Sequence, residues 1–262
     1  QDVVTGTQSN FETSGGFGPN QVSTILGLGI FIFFVQLMLN SSNGILQIIN
    51  GGLVLFFAYR GLITFSRGGI YTGVAMILLL LAILYFQANF QTKPKIAGII
   101  VLSFLATLAV WSYSSIKTNG LLDKRYANQD AAGREKKSQL SGREILIESE
   151  LKMFYENPIL GVGVGKNKEL RKSQTGIDLA THNEITRMLA EHGTLGIVGL
   201  LILVITPLYL FLVDRQNILA LSFFVFWLLT INHAAMRLSA PAFIYALSLL
   251  KVYREAPVVH RK

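Results

Sequence analysis

Residues 194–213 read TLGIVGLLILVITPLYLFLV, a run of 20 residues without a charged side chain. A helix needs ~20 apolar residues to cross the ~30 Å hydrocarbon core of a bilayer. Inside lipid the backbone must satisfy its own hydrogen bonds, which a helix does within one segment. The stretch therefore predicts a transmembrane helix and an all-α, polytopic membrane fold.

Six further apolar stretches flank this run, so the chain is predicted to contain about seven spans. They cover residues 22–39, 44–59, 70–87, 96–112, 218–231 and 240–252. The predicted organisation has three parts: spans one to four with an outer N-terminal segment (1–113), a large loop (114–193), and spans five to seven with a tail (194–262). The loop is expected to contain two or more helices.

The composition agrees with a membrane protein. Of 262 residues, 51% are hydrophobic and only 15% are charged, whereas soluble domains carry roughly 25% charged residues. The net charge of +8 comes from lysines and arginines that flank the spans, where they face lipid headgroups. Membrane lipids are therefore expected partners and nucleic acid is not. The absence of cysteine excludes disulfides and thiolate metal sites.

The basic residues of the short connectors predict the orientation. If the spans alternate, one side of the membrane carries Lys93, Lys95, Arg215, Arg254, Arg261 and Lys262. Short loops rich in lysine and arginine are cytoplasmic. The large loop is then expected on the outer side, with Arg60 and Arg67 at the outer boundary of the membrane.

Two motifs in the loop predict helix starts. S-G-R-E at 141–144 and T-H-N-E at 181–184 both match the capping box. The first helix should stop before Asn157, because Pro158 cannot continue it, and the second should reach Gly193. This places Arg143 and His182 in first helical turns, where the helix dipole favours an anion. The same field disfavours imidazolium, so His182 is expected to be neutral and able to accept a proton. Ordinary polar roles near a helix start remain the alternative.

Several other residues, and one glycine-rich segment, are further candidates for the site. Arg67 is flanked by Ser66, Gly68 and Gly69, which leave room for a phosphate oxygen, although boundary arginines commonly reach headgroups. The segment G-V-G-V-G-K at 161–166 lacks nucleotide-loop spacing and is expected to form a tight apolar turn. His192 should pack on an apolar face, while His233 and Arg237 could line the cavity of the loop. No metal-binding motif is present, and no metal or other cofactor is expected.

Short motifs follow one another in a characteristic order. They are G-G-F-G-P-N at 15–20, S-R-G at 66–68, an arginine-led helix at 143, N-P-I-L-G-V-G at 157–163, T-H-N-E at 181–184 and E-H-G-T-L-G at 191–196. Their order and membrane placement resemble the O-antigen ligase and polymerase family of bacterial envelope glycosyltransferases. Members usually have around a dozen spans, so about five N-terminal spans are expected to be missing from this sequence, which begins at Gln1.

The resemblance implies a metal-independent, inverting glycosyltransferase of the bacterial inner membrane with a periplasmic loop. Its donor would be a glycan on undecaprenyl diphosphate. By position Arg67 and Arg143 would hold the diphosphate, and His182 would be the base, with Asn183, Arg187, Arg60 and Arg237 as possible supporting residues. Lipid A core is the favoured acceptor, as for a ligase. A polymerase or a protein oligosaccharyltransferase remains open, and a transporter or a non-enzymatic scaffold is the alternative from another class.

Overall fold

The computed structural model describes residues 5–136, 144–179, 181–233 and 238–252. These ranges form helices joined by turns, with one isolated β-bridge between Gln129 and Glu135. The helices are α1 (Pro19–Val35, continued by the π-helical Gln36–Asn40), α2 (Gly44–Ile63), α3 (Arg67–Gln87), α4 (Lys93–Lys117), α5 (Leu121–Tyr126), α6 (Glu144–Glu156), α7 (Lys166–Thr175), α8 (Glu184–Val213), α9 (Ala220–Thr230) and α10 (Ala240–Ser248). The predicted all-α membrane bundle is confirmed.

Among the described residues, five helices are long and apolar enough to cross a bilayer: α1 with its π-helical end, α2, α3, α4 and α8. Two predicted spans are shorter helices, because α9 has 11 residues and α10 has 9, while a full crossing needs ~20. The count of seven therefore stays a prediction. The predicted division of the chain into three parts, at residues 113 and 193, also stays a prediction. Helix α4 continues to Lys117, and α8 runs across Gly193.

The bundle is built around α1 and α3. Helix α1 packs on α2 and α3, α3 also packs on α9, and α9 packs on α10. Phe31, Met76, Leu80 and Phe226 are fully buried in the shared core, together with the nearly buried Ile244. Side chains that face outward along α4 and α8 are largely apolar and exposed, as expected of helices that contact lipid.

The backbones of α1 and α3 touch where they cross. A Cβ atom at Gly69 would lie 2.1 Å from the carbonyl carbon and oxygen of Ser23, and one at Gly27 would lie 2.1 Å from the carbonyl oxygen of Gly69. Small residues spaced four apart, here Gly69 and Gly73, let membrane helices approach this closely. The Ser23 hydroxyl donates to the Ser66 carbonyl at 2.8 Å, which fixes the residue preceding α3.

Helix α8 contains a kink at Gly193, whose φ of 60° and ψ of −136° leave the helical region. The predicted helix stop at Gly193 is confirmed, although a second helical segment continues directly. A Cβ at Gly193 would lie 2.6 Å from the backbone of Ile159. The Val162 amide donates to the Ala190 carbonyl at 2.8 Å. The prediction of a tight turn at 161–166 against another element is therefore confirmed, and α6 ends at Glu156 as expected.

We predict that Gly69→Ala destabilises the bundle, because its methyl group meets backbone atoms that cannot move aside independently. Overpacking costs about 1–3 kcal/mol where neighbours can adjust, and we expect at least this loss. Thermal unfolding of the purified protein in detergent measures it. Gly98→Ala in α4 is the control, since no atom lies within 4 Å of its Cβ position. Equal melting temperatures for the two variants would contradict the close crossing.

Candidate functional site

The predicted site residues that the structure describes lie at one end of the bundle. Here the N-terminal segment covers the end of α2, because the Asn10 amide donates to the Thr64 carbonyl at 3.1 Å and the Thr13 hydroxyl to Ile63 at 2.8 Å. At the same end the Glu184 amide donates to the Ile231 carbonyl at 2.9 Å. This bond joins the start of α8 to the end of α9.

Arg67 is the first residue of α3, and its side chain is half-buried. Ser66 occupies the N-cap position, but its hydroxyl donates to the Asn20 side chain at 2.7 Å rather than capping the helix. Phe65 adopts a left-handed φ of 58° and is fully buried. The Arg67 backbone is thus held by polar bonds to α1 on one side and by a buried aromatic ring on the other.

His233 packs against the residue that follows Arg67. A Cβ atom at Gly68 would lie 2.6 Å from Cδ2 of His233. The ring lies 2.9 Å from the Leu229 carbonyl through Nδ1 and 3.1 Å from the Thr24 hydroxyl through Nε2. His233 therefore joins α1, α3 and the end of α9. The sequence predicted only that His233 could line the cavity of the loop. It did not reveal the contact with α3, which is possible because Gly68 has no side chain.

The start of α8 corrects one sequence prediction. Asn183, and not Thr181, is the N-cap, because its side-chain oxygen accepts from the amides of Ile185 at 2.9 Å and Thr186 at 3.4 Å. The Thr181 hydroxyl instead turns onto the backbone of Asn183. Asparagine caps a helix at least as well as threonine. His182 consequently precedes the N-cap instead of lying in the first turn, and it is half-buried.

The structure brings the turn of His182 and the turn of Arg67 to the same segment. Glu184 bonds to Ile231, and two residues further on His233 contacts Gly68. Residues 231–233 at the end of α9 therefore connect the two turns. Their common position could not be deduced from spacing along the chain, which separates them by more than 100 residues.

The structure locates some of the predicted supporting residues. Arg60 donates to the Thr13 carbonyl at 3.1 Å and so anchors the N-terminal segment. Arg187 donates to Glu184 at 2.7 Å and lies 3.5 Å from Glu191, so it pairs with two carboxylates of its own helix. Arg143 and Arg237 lie outside the described residues, as does most of the capping box at 141–144. Their roles stay predictions.

A buried ion pair inside the loop was missed by the sequence analysis. Glu150 of α6 and Arg171 of α7 are both fully buried and lie 3.1 Å apart. The second carboxylate oxygen of Glu150 accepts from the Thr186 hydroxyl of α8 at 2.6 Å, and Arg171 also donates to the Leu179 carbonyl. The pair therefore ties three helices and the segment before His182. The sequence does contain a sign that Glu150 is buried, because it lies on the same helix face as the buried Leu146 and Met153, at spacings of four and three residues.

Helix α5 packs on the first two turns of α3. The Arg125 side chain donates from Nε to the Phe65 carbonyl at 2.9 Å. The rings of Tyr126 and Tyr71 meet edge to face, with centroids 5.8 Å apart. Burial, and then the neighbouring Tyr71 hydroxyl, raise the pKa of Tyr126, while the charges of Arg67 and Arg125 oppose the rise. Tyr126 is therefore a protonated hydrogen-bond donor beside two guanidinium groups.

An apolar cavity of 380 Å³ lies between α8 and α9, beginning at the first turn of α8. It is lined by Ile185, Leu189, Ile197, Leu200, Leu201, Val204, Trp227, Leu228 and Ile231. Ile231 also accepts the bond from Glu184, so the cavity adjoins the polar end at which His182 lies. Over the part of the chain that the structure describes, no cluster of three His, Asp or Glu residues is arranged to hold a metal.

The comparisons with known proteins identify the family. A family model described as O-antigen ligase matches residues 52–202, which is more than half of the chain. The match includes Arg67, Arg143 and His182, whereas His233 and Arg237 follow it. Neither the curated proteins nor the solved structures contain a match to this chain.

We predict that Arg171→Met destabilises the loop, because it leaves the carboxylate of Glu150 buried without its cation. Breaking one partner of a buried pair costs about 3–5 kcal/mol. Thermal unfolding and limited proteolysis of the purified protein measure the loss. Lys172→Met is the matched control, since its exposed amine bonds only to the exposed Asp178, and surface pairs contribute little. Equal protease resistance of both variants would show that the pair does not hold the loop.

Proposed function

We propose that this chain, which belongs to the O-antigen ligase family, transfers a glycan from undecaprenyl diphosphate to a hydroxyl group of lipid A core. The acceptor oxygen attacks the anomeric carbon as the bond from that carbon to the diphosphate breaks. The attack inverts the anomeric centre, and the acceptor proton leaves with a base. The observation that carries the proposal is the convergence of the Arg67 and His182 turns on residues 231–233.

Arg67 is proposed to bind the diphosphate and stabilise its charge as it departs. It opens α3, so its guanidinium is joined by the positive end of the helix dipole. Guanidinium matches phosphate oxygens with two parallel hydrogen bonds, and such fixed donors favour a transition state in which negative charge develops. We propose Arg143, at the predicted start of α6, as the second arginine on the diphosphate.

His182 is proposed as the base that takes the acceptor proton. It directly precedes the N-cap of α8, and an imidazole in its neutral form can accept the proton of the acceptor hydroxyl. The Asn183 cap fixes the backbone next to it, and the bond from Glu184 to Ile231 fixes the helix end against α9. A general base must lie within hydrogen-bond reach of its proton, and these contacts restrict where His182 can lie.

The apolar cavity between α8 and α9 supports a lipid-linked donor. Its lining is hydrocarbon throughout, and it begins beside the polar end of the bundle. An isoprenoid chain lying there would place its diphosphate at that end. We place this end at the periplasmic face of the inner membrane, because the basic short connectors lie on the opposite side.

A polymerase or a protein oligosaccharyltransferase would share this donor chemistry and differ only in the acceptor. A transporter is less well supported, because transport sites place ionisable residues near the bilayer midplane. In the span helices that the structure describes, the charged residues of α2, α3 and α4 stand in terminal turns. The segment of α8 after its kink has none.

We predict that His182→Ala inserts normally but leaves lipid-linked glycan unused in cells that lack their own enzyme. Loss of the base removes a contribution of about 10²–10⁴-fold to the rate. Accumulated lipid-linked glycan and surface glycan measure the effect, with membrane levels of each variant determined in parallel. His192→Gln serves as the control, since this histidine lies beyond the site on the same helix and should retain transfer. Full transfer by His182→Ala would contradict the role of His182 as the base.

We predict transfer to lipid A core when purified protein, in buffer with EDTA, receives lipid-linked glycan and each acceptor separately. The other arms contain a second lipid-linked repeat and an acceptor protein, and the product is identified by its mass. Transfer only between lipid-linked repeats would replace the ligase by a polymerase. Activity that requires added metal would contradict the metal-independent mechanism.

A further inference from the structure

The hairpin after α5 brings a lysine to the start of α3. The Lys136 amide donates to the Asn128 carbonyl at 3.0 Å, and the bridge between Gln129 and Glu135 closes the hairpin. Asn128 follows Tyr126 by two residues, and the Tyr126 ring contacts Tyr71, one helical turn after Arg67. The segment contains none of the short motifs named in the sequence analysis, so its position in the fold is what links it to the site.

The N-terminal segment fixes the Lys136 side chain. Its ammonium group donates to the Thr7 hydroxyl at 2.9 Å and lies 3.4 Å from the Thr7 carbonyl. The Thr7 hydroxyl in turn donates to the Gln129 carbonyl at 2.9 Å. Three residues later the Asn10 amide bonds to Thr64, close before Arg67. The half-buried lysine is thus held between the hairpin and the end of α2.

The charges around Lys136 repel one another. Burial lowers the pKa of Lys136 from its ordinary value, and the positive charges of Arg125 and Arg67 lower it further. Asp130 acts in the opposite direction, but its carboxylate is held by Arg134 at 2.7 Å. Cations held near each other raise the local potential and attract a multivalent anion. Binding such an anion offsets the repulsion.

We propose that Lys136 and Arg125 extend the Arg67 site into a three-cation subsite that binds the second phosphate of the donor's diphosphate. This inference rests on the proposed function. Arg125 stays bonded to the Phe65 carbonyl through Nε and contributes charge, while the Lys136 ammonium contacts a phosphate oxygen directly. A single phosphate bound at Arg67 leaves no second phosphate for the Lys136 ammonium group to contact. The subsite therefore selects diphosphate-linked over monophosphate-linked lipids.

The test compares binding of two lipids by the full chain in nanodiscs: undecaprenyl diphosphate and undecaprenyl monophosphate. Lys136→Gln keeps a polar group beside Thr7 but removes the charge. We expect it to weaken diphosphate binding by about tenfold, as for loss of one hydrogen bond to a charged group, and to leave monophosphate binding nearly unchanged. Lys136→Arg should retain the preference. Lys124→Gln is the matched control, since its amine bonds to the Ala131 carbonyl at 2.8 Å in the same hairpin.

Further arms separate the possible failures. Thr7→Val removes the hydrogen bond that positions the ammonium group and leaves its charge, so it should weaken diphosphate binding by less than Lys136→Gln does. If Lys136→Gln and Lys124→Gln bind the diphosphate lipid equally well, while Arg67→Ala loses that binding, the subsite is overturned. The proposed function is then left intact. Undiminished binding by Arg67→Ala would overturn both. In transfer assays we expect a raised KM for the donor; a raised KM for the acceptor alone would assign Lys136 to an acceptor phosphate and contradict the proposal.

Discussion

The contact between the backbones of α1 and α3 determines where the candidate site can form. Because no side chain separates Gly27 from Gly69, Ser23 and Asn20 come within hydrogen-bond reach of Ser66. These bonds set the first turn of α3 and hence the position of Arg67. A looser crossing would break these bonds and leave the first turn of α3 without its anchor on α1. The geometry of a polar site thus depends on packing between small residues inside the bundle.

Two different kinds of contact attach the loop to α8. The backbone of residues 158–163 packs on the kink of α8, where glycine at 161 and 193 permits contacts that a side chain would block. The buried pair of Glu150 and Arg171 then fixes α6 and α7 relative to Thr186. A buried pair adds little net stability, because desolvation offsets attraction, but it penalises every arrangement that separates its partners. The pair therefore favours the arrangement in which α6, α7 and the start of α8 stay in contact.

The sequence predicts the parts of the fold that depend on local chemistry. Apolar runs locate the long spans, and Pro158 ends α6. The sequence suggested Thr181 as the N-cap of α8, because Thr181 and Asn183 both have side-chain oxygens that can cap a helix. In the structure Asn183 is the cap, and the next residue, Glu184, bonds to Ile231, a contact between distant segments that the sequence does not reveal. The same reason explains His233, whose place beside Gly68 has no sequence signal. Glu150 had a signal, but periodicity does not reveal that its partner lies on the next helix.

Cations concentrated at one end of a membrane bundle repel one another in the free protein, and in the proposed diphosphate subsite the bound anion offsets that repulsion. Repulsion among Arg67, Arg125 and Lys136 is retained only because each is fixed by other contacts, such as the bonds to Phe65 and Thr7. Donors fixed in this way need no reorganisation when a diphosphate arrives. In the proposed transfer, cationic side chains that are bound to the backbone would neutralise the charge of the leaving group. The hydrogen bonds from Ser23 and to Asn20 of α1 would hold the start of α3, and hence Arg67, among them.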